Sequence, residues 1–448
     1  MKKKYLYFLL IALMSINKVF ALKELTLEDC KNFAVKNNTI LKNSNLEIEG
    51  SQQVEKSAFT NYFPSISAGG LIWNAQKSLL EMEMQGGNLP VYDGNPANLS
   101  KATQFAYFPS STIGLMQKGI IGYINAVQPI FTGGRIYYGN NLASLGKDVS
   151  VLKGRLTEDE ILSKTEEQYW QIVTLEEKMK TVKKYEEFLN RLLLQVEDAY
   201  KSGLILQNDV LKVKLKISEL LLNKSKLDNG KKLALMAFCQ YIGIPYDSTL
   251  TLNEELKIDD LPQSLYIDKN EALKKRTEYM LLEKSVKAEK LQTNLKFGEY
   301  LPQVTIGINE TYLKFDENNG RTIGMLYGTV SIPISNWWGG SYELQERKIK
   351  EEIAENNLKN NSELLVLQIE KAWQDLIDAY DQYLLSKQTC EQANDNLAQV
   401  EDSYKHGVIK VSDLLEAQAL NQQAEQQLIE AKAGYFVKQS VYLKATGR

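Results

Sequence analysis

The chain has 448 residues, 44% of them apolar and 24% charged, with a formal net charge of −3. No basic excess argues for nucleic acid, and a single histidine, His406, excludes multi-histidine zinc sites. Cys30, Cys239 and Cys390 form neither a CxxC pair nor a clustered disulfide framework, and no phosphate-binding glycine loop occurs. An enzyme, a cofactor and a metal site are therefore not expected.

Residues 1–21 read MKKKYLYFLLIALMSINKVFA. Three lysines precede an apolar run from Tyr5 to Ile16, and Val19 and Ala21 fit the −3 and −1 positions of a cleavage site. The run is too short to span about 30 Å of hydrocarbon as a helix, so it reads as a cleaved secretory signal. Cleavage would remove four of the 53 basic residues, leaving 49 against 56 acidic ones, near −7. No other apolar run is long enough for a membrane helix, so membrane entry would require a closed barrel.

The rest of the chain repeats itself. Residues 196–211 (VEDAYKSGLILQNDVL) and 400–415 (VEDSYKHGVIKVSDLL) are identical at nine of sixteen positions, at a constant offset of 204. NYFPSISAGG at 61–70 is similar to EYLPQVTIGI at 299–308, and VQPIFTGG at 127–134 to SIPISNWWGG at 331–340. Such order-preserving matches indicate an internal duplication. Each half reads helix, strand opened by proline, strand ended by proline and Gly-Gly, long helix, glycine turn, helix.

Helices are expected over 27–60, 135–202, 205–244 and 340–406. None of the nine prolines falls in 134–244 or 334–448, where each would cost about 3 kcal/mol inside a helix. Leu189, Leu192, Leu193, Val196, Ala199 and Tyr200 form one apolar stripe. Val366, Ile369, Trp373, Leu376, Ile377, Tyr380 and Leu384 form another. Pro64, Pro129, Pro302 and Pro333 mark the changes between strand and helix. Strands are expected at Ser65–Trp73, Thr112–Ile130, Val304–Asn309 and Leu326–Ile334, and the Gly-, Asn- and Pro-rich segment 76–111 reads as a long loop. Trp337 and Trp338 are read at a strand end, as interface or packing residues. Four strands cannot close a barrel; three chains would supply twelve.

The duplicated plan, the YFP and YLP strand starts, the IPI…GG strand end and the YKxG…DLL turns resemble the TolC-like outer-membrane efflux proteins. The resemblance spans Leu25 to Gly447 and is most specific at Tyr404–Gly407 with Val408–Ala417. It implies a mainly α protein: a long α-helical barrel hanging into the periplasm, plus four strands per chain completing a twelve-stranded β-barrel in a homotrimer. It further implies residence in the outer membrane of a Gram-negative bacterium and passive export, powered by an inner-membrane transporter joined through a periplasmic adaptor. The chain then divides into a signal peptide (1–21), a first repeat (22–244), an equatorial linker (245–264) and a second repeat (265–448).

Gly203 and Gly407 read as helix-hairpin turns. By resemblance they form an adaptor-docking tip with Tyr200, Leu204 and Val408. Asp413 and Glu416, three apart on one helix face, read either as a solvated acidic pair at a helix start or, by resemblance, as a pore gate with Tyr404. The first copy has Asp209, read as a cap or support, and Lys212 in place of Glu416. The family's basic partner for the tyrosine is replaced by Ile409. His406 reads as an exposed turn residue and the cysteines as small hydrophobes. The alternative is a secreted, soluble coiled-coil scaffold with a structural or adhesive role. The cargo, and whether the pump is driven by ATP or protons, are not encoded in these motifs.

Overall fold

The computed structural model describes residues 24–252, 256–258, 261–316 and 319–448. The proposed signal peptide lies outside them. In chain order the elements are β1 (Glu24–Leu25), α1 (Leu27–Asn37), α2 (Thr39–Phe59), β2 (Ser65–Asn74), β3 (Leu80–Met84), β4 (Gly87–Pro90), β5 (Phe105–Phe108), β6 (Ser111–Leu115) and β7 (Lys118–Phe131). Then come α3 (Arg135–Lys201), α4 (Gln207–Ile242), β8 (Thr251–Leu252), α5 (Lys269–Lys275), α6 (Thr277–Gly298), β9 (Gln303–Phe315), β10 (Arg321–Ser331), α7 (Trp337–Lys405) and α8 (Val411–Ala445). The two longest helices have 67 and 69 residues. Contacts divide the chain into a helical unit (1–51, 147–286, 354–448) and a sheet-bearing unit (52–146, 287–353).

Among the described residues the helical unit has three apolar clusters. In the first, Leu25, Cys30, Ala34, Tyr169, Phe238, Cys239 and Ile242 are almost wholly buried, each large side chain contributing about 1.5–3 kcal/mol by burial. The Trp170 and Phe436 rings stack at 4.3 Å. Cys239 and Cys390 sit in apolar surroundings that push both thiols up, burial being the main cause. The second cluster uses the predicted stripe: Leu189, Leu192 and Val196 pack with Val210, Val213, Val411, Leu414 and Leu415. The third joins Leu376, Tyr435 and Tyr442 to Trp373 and Tyr380.

The expected helix over 27–60 is broken. Asn38 donates to the Tyr241 carbonyl at 2.9 Å while its side-chain oxygen accepts the Ile40 N–H at 2.8 Å, so it ends α1 and starts α2. Part of the segment expected to be linker is ordered too: β8 pairs in parallel with β1, and residues 262–265 form a 3-10 turn.

In the sheet-bearing unit, β10, β9, β7 and β2 form one antiparallel sheet in that order. Residues 76–111 are not a plain loop. β3 pairs with β6 and β4 with β5, giving a two-stranded ribbon between β2 and β7. The overlooked signal was the alternation Leu80-Glu81-Met82-Glu83-Met84. Its base is tied down: the Asp316 carboxylate accepts the Met116 and Lys118 N–H groups at 2.7 and 3.0 Å, and the Trp73 indole donates to the Met116 carbonyl at 3.2 Å.

Two further boundaries differ from expectation. Thr112–Leu115 belong to the ribbon, so β7 begins at Lys118. β10 ends at Ser331, a 3-10 turn covers Ile334–Asn336, and Trp337 and Trp338 open α7 rather than close a strand.

Alternation gives the sheet two faces. One carries Ile66, Ala68, Ile72, Ile120, Ile124, Ala126, Ile306, Ile308, Leu326 and Val330. It is bare: Ile72 and Leu326 are each 76% exposed. Glu310 interrupts it, and Tyr312, Lys314 and Lys118 lie toward the turn end. The other face carries Ser65, Ser67, Asn125, Thr305, Asn309, Thr329 and Ser331, with Met325 among them, toward the helices, and Leu71, Trp73, Ile121, Leu313, Phe315 and Ile323, with Thr311 among them, toward the turns. Along β9 this second face is half-buried or buried from Thr305 to Phe315 while its neighbours are exposed, as in a sheet curled toward its polar side.

Gly243 ends α4 at φ 73°, and a Cβ there would stand 2.5 Å from the Asn37 Cβ; Gly203, also at φ 73°, has open space around it. Gly203→Ala should therefore cost only left-handed strain, about 1–2 kcal/mol. Gly243→Ala should add an overpacking cost of about 1–3 kcal/mol. Thermal unfolding in detergent that ranked the two variants equally would contradict this packing.

Candidate functional site

Two places concentrate the singled-out residues: the hairpin tips of the helical unit, and the sheet-to-helix junction of the other unit. At the first tip the Leu204 N–H bonds the Ala199 carbonyl and the Gly203 N–H the Tyr200 carbonyl, both at 2.9 Å. At the second, Val408 bonds Ser403 and Gly407 bonds Tyr404 in the same pattern, both at 3.0 Å. This is the Schellman arrangement, which requires a left-handed residue after the helix. Gly203 and Gly407 supply it at φ 73° and 74°. The turns hold Leu204 and Val408 out at 78% and 75% exposure, beside the exposed Tyr200.

The two copies differ in charge chemistry. Asp413 is exposed, and its carboxylate accepts the Lys410 N–H at 3.2 Å, closing the first turn of α8. Glu416 is exposed on the same face. Asp209 does not cap α4; it pairs with Lys212 at 3.2 Å. The Lys212 ammonium also donates to the Ser412 hydroxyl at 2.8 Å and so links the two hairpins, a role its sequence position did not reveal. Tyr404 is half-buried. Burial pushes its hydroxyl pKa up, and the nearby Asp209 carboxylate adds to the rise. The structure thus brings Tyr404 near Asp209, the partner of Lys212, and leaves Asp413 and Glu416 facing solvent in the single chain. Ile409 is half-buried. His406 is exposed, its ring nitrogen 2.8 Å from the Asp402 carbonyl oxygen and 3.7 Å from the Asp402 carboxylate.

At the junction, Pro64 and Pro302 immediately precede β2 and β9. Pro129 lies inside β7 at a register shift, beyond the last residue that β2 covers, so its missing N–H breaks no bond to β2. Pro333 precedes the 3-10 turn that leads into α7. Side-chain contacts complete the corner. The Trp337 indole donates to the Tyr300 carbonyl at 2.8 Å, and the Tyr300 hydroxyl donates to Glu343 at 2.6 Å. Lys296 pairs with Glu299 and Glu343, which holds the Glu343 carboxyl below the usual range. A Cβ on Gly298 would stand 2.5 Å from the Gly133 carbonyl oxygen, so the two backbones meet where only glycines fit. The repeated tyrosine of NYFP and EYLP was the available signal for Tyr300.

Among the described residues no cluster of three or more His, Cys, Asp or Glu is arranged to hold a metal. Nor is any helix long and apolar enough to cross a membrane.

Residues 270–440 match the family described as outer membrane efflux protein. That match covers the greater part of the second repeat. No curated protein sequence matches it. Solved structures agree over nearly the whole chain. Outer membrane protein VceC of Vibrio cholerae is 13% identical, with TM-score 0.72 and coverage of 94% of this chain and 96% of that one. The CmeC outer membrane channel of Campylobacter jejuni is 14% identical, with TM-score 0.74 and coverage of 94% and 85%. The open-state MtrE outer membrane channel of Neisseria gonorrhoeae is 15% identical, with TM-score 0.73 and coverage of 94% and 88%. The fold is the TolC-like one, mainly helical with a four-stranded sheet.

Replacing Lys212 with Met keeps the side-chain length and removes both polar contacts. The first turns of α4 and α8 should loosen by about 1 kcal/mol, the scale of a partly exposed ionic hydrogen bond. Amide exchange over 207–213 and 411–415 should quicken roughly fivefold, as that energy converts; unchanged exchange would show that the hairpins do not depend on Lys212.

Proposed function

We propose that this protein is the outer-membrane duct of a three-part export system. Three copies close a twelve-stranded barrel, a periplasmic adaptor docks at the tips, and an inner-membrane transporter supplies the energy while the duct itself is passive. The observation that carries this reading is the bare apolar face of the four-stranded sheet, backed by a face that is polar toward the helices. A soluble protein covers such a face, whereas a barrel turns it to lipid and keeps the polar side for water. The soluble-scaffold alternative leaves that face unexplained.

The same reading assigns residues 1–21 to a cleaved signal, 22–244 and 265–448 to the two repeats, and 245–264 to the linker between them. It gives Gly203, Gly407, Tyr200, Leu204 and Val408 to adaptor docking, because the exposed apolar side chains stand on rigid turns. Asp413, Glu416 and Tyr404 are assigned to the closed end of the pore. Threefold repetition would gather six carboxylates there, a cation-attracting ring.

Two measurements test this. Leu326→Lys, on the bare face, should cost about 2–4 kcal/mol in unfolding from lipid vesicles, whereas Thr329→Lys, on the polar face, should cost under about 1 kcal/mol. Equal costs, or a wild-type protein that sediments in detergent as a compact monomer, would refute the barrel. Gly407→Trp should leave assembly intact and abolish capture of the adaptor; normal capture would remove the tip from the docking surface.

A further inference from the structure

On the polar face, three aromatic side chains each lie over a glycine directly opposite on the neighbouring strand. Tyr327 opposes Gly307, Tyr123 opposes Gly69 and Trp73 opposes Gly119. At each glycine the nearest atoms to an added Cβ would be ring or hydroxyl atoms of that aromatic; at Gly69 they are Tyr123 atoms at 2.6–3.0 Å. The rings therefore lie along the wall instead of standing off it, the arrangement in which an aromatic covers a cross-strand glycine. Two are pinned by polar contacts: the Tyr327 hydroxyl donates to Asn125 at 3.0 Å, and the Trp73 indole to the Met116 carbonyl at 3.2 Å.

The three pairs climb the sheet in regular steps. Through the register of β9 they fall level with Gly307, Thr311 and Phe315, four residues apart, or about 13 Å along the strand at 3.3 Å per residue. The Trp73 and Phe315 rings meet at 5.7 Å at the top step. Along this face, from Ser65 to Phe315, Arg321 at the turn end is the only side chain carrying a full charge.

We propose that these pairs form an aromatic ladder on the inner wall of the barrel and that its ligands are planar aromatic molecules, cations among them. Flat rings on a wall whose one full charge, Arg321, stands at the turn end offer π faces to a passing ring or cation without narrowing the bore. The glycines are part of the site, because any larger residue would lift the ring into the path. The proposal rests on the duct reading, which sets this face toward the lumen.

The probe is ethidium, a planar aromatic cation, titrated by fluorescence anisotropy into the full-length protein in detergent. Wild type should bind it. Trp73→Ala/Tyr123→Ala/Tyr327→Ala should weaken binding roughly fivefold or more, the scale of lost cation–π contacts. The matching triple Phe variant, which keeps a ring at each step and guards against misfolding of the Ala variant, should bind like wild type. Tyr312→Ala, on the opposite face, should also bind like wild type. No binding by wild type, equal binding by the Ala variant, or equal losses in the Phe or Tyr312→Ala variants would overturn the ladder. The duct reading fails separately, by a monomer in detergent.

Discussion

Each chain leaves two strand edges open, at β2 and β10, because the sheet order is β10-β9-β7-β2. An open edge presents a row of unpaired N–H and C=O groups. In hydrocarbon each such group costs several kcal/mol, so a sheet in a membrane has to close. Three antiparallel steps separate β10 from β2, so the two edges run in opposite directions. In the proposed barrel the β2 of one copy would meet the β10 of the next antiparallel, and alternation would continue round a ring of any number of copies. The edges also match in length, at 10 and 11 residues. Three copies give twelve strands, while two would give eight and leave the interior filled by side chains. In the proposed duct the single chain is thus a segment of a wall.

The same wall accounts for several glycines. Gly69, Gly119 and Gly307 sit under aromatic rings, and Gly133 and Gly298 let two backbones touch at the corner where strand gives way to helix. In both cases the missing Cβ is what permits the close approach. At the corner the polar network of Lys296, Glu299, Tyr300 and Glu343 then fixes an angle that the glycines alone would leave loose.

The helices were legible because their signal is long. Periodicity over some seventy residues and the exclusion of proline located α3 and α7 to within a few residues, and the buried Leu189, Leu192, Val196, Ile369 and Leu376 lie on the expected stripes. The four main strands were legible through their proline starts and the repeat. The ribbon over 80–115 was missed because its turn residues dominate the composition, although LEMEM alternates cleanly. Asn38 was missed because one side chain that captures the backbone on both sides leaves no trace in periodicity. At the tips, the glycines and acidic residues were found from the repeat. The Lys212–Ser412 contact was not, because it joins residues 200 positions apart that no shared pattern connects.

Duplication has not produced two equal hairpins. In the first, three ion pairs zip α3 to α4: Glu197–Lys214 at 2.8 Å, Glu186–Lys224 at 2.6 Å and Glu176–Lys231 at 2.9 Å. Each contributes at most about 1 kcal/mol at a surface, but they recur along the coil toward the turn. In the second, Asp375–Lys438 lies well away from the turn, and nearer the turn α7 meets α8 through the amide pair Asn394–Asn421 at 2.6 Å. Among the described residues no ion pair joins α7 to α8 between Asn394 and the Gly407 turn. The second hairpin is therefore the less fastened one, and it is the one that carries the exposed Asp413 and Glu416. Lys212, standing where the second copy has Glu416, reaches across to Ser412 of that hairpin. The substitution that makes the copies unequal also supplies the tether between them, so the exposed acidic end is held by a contact from the better-fastened hairpin.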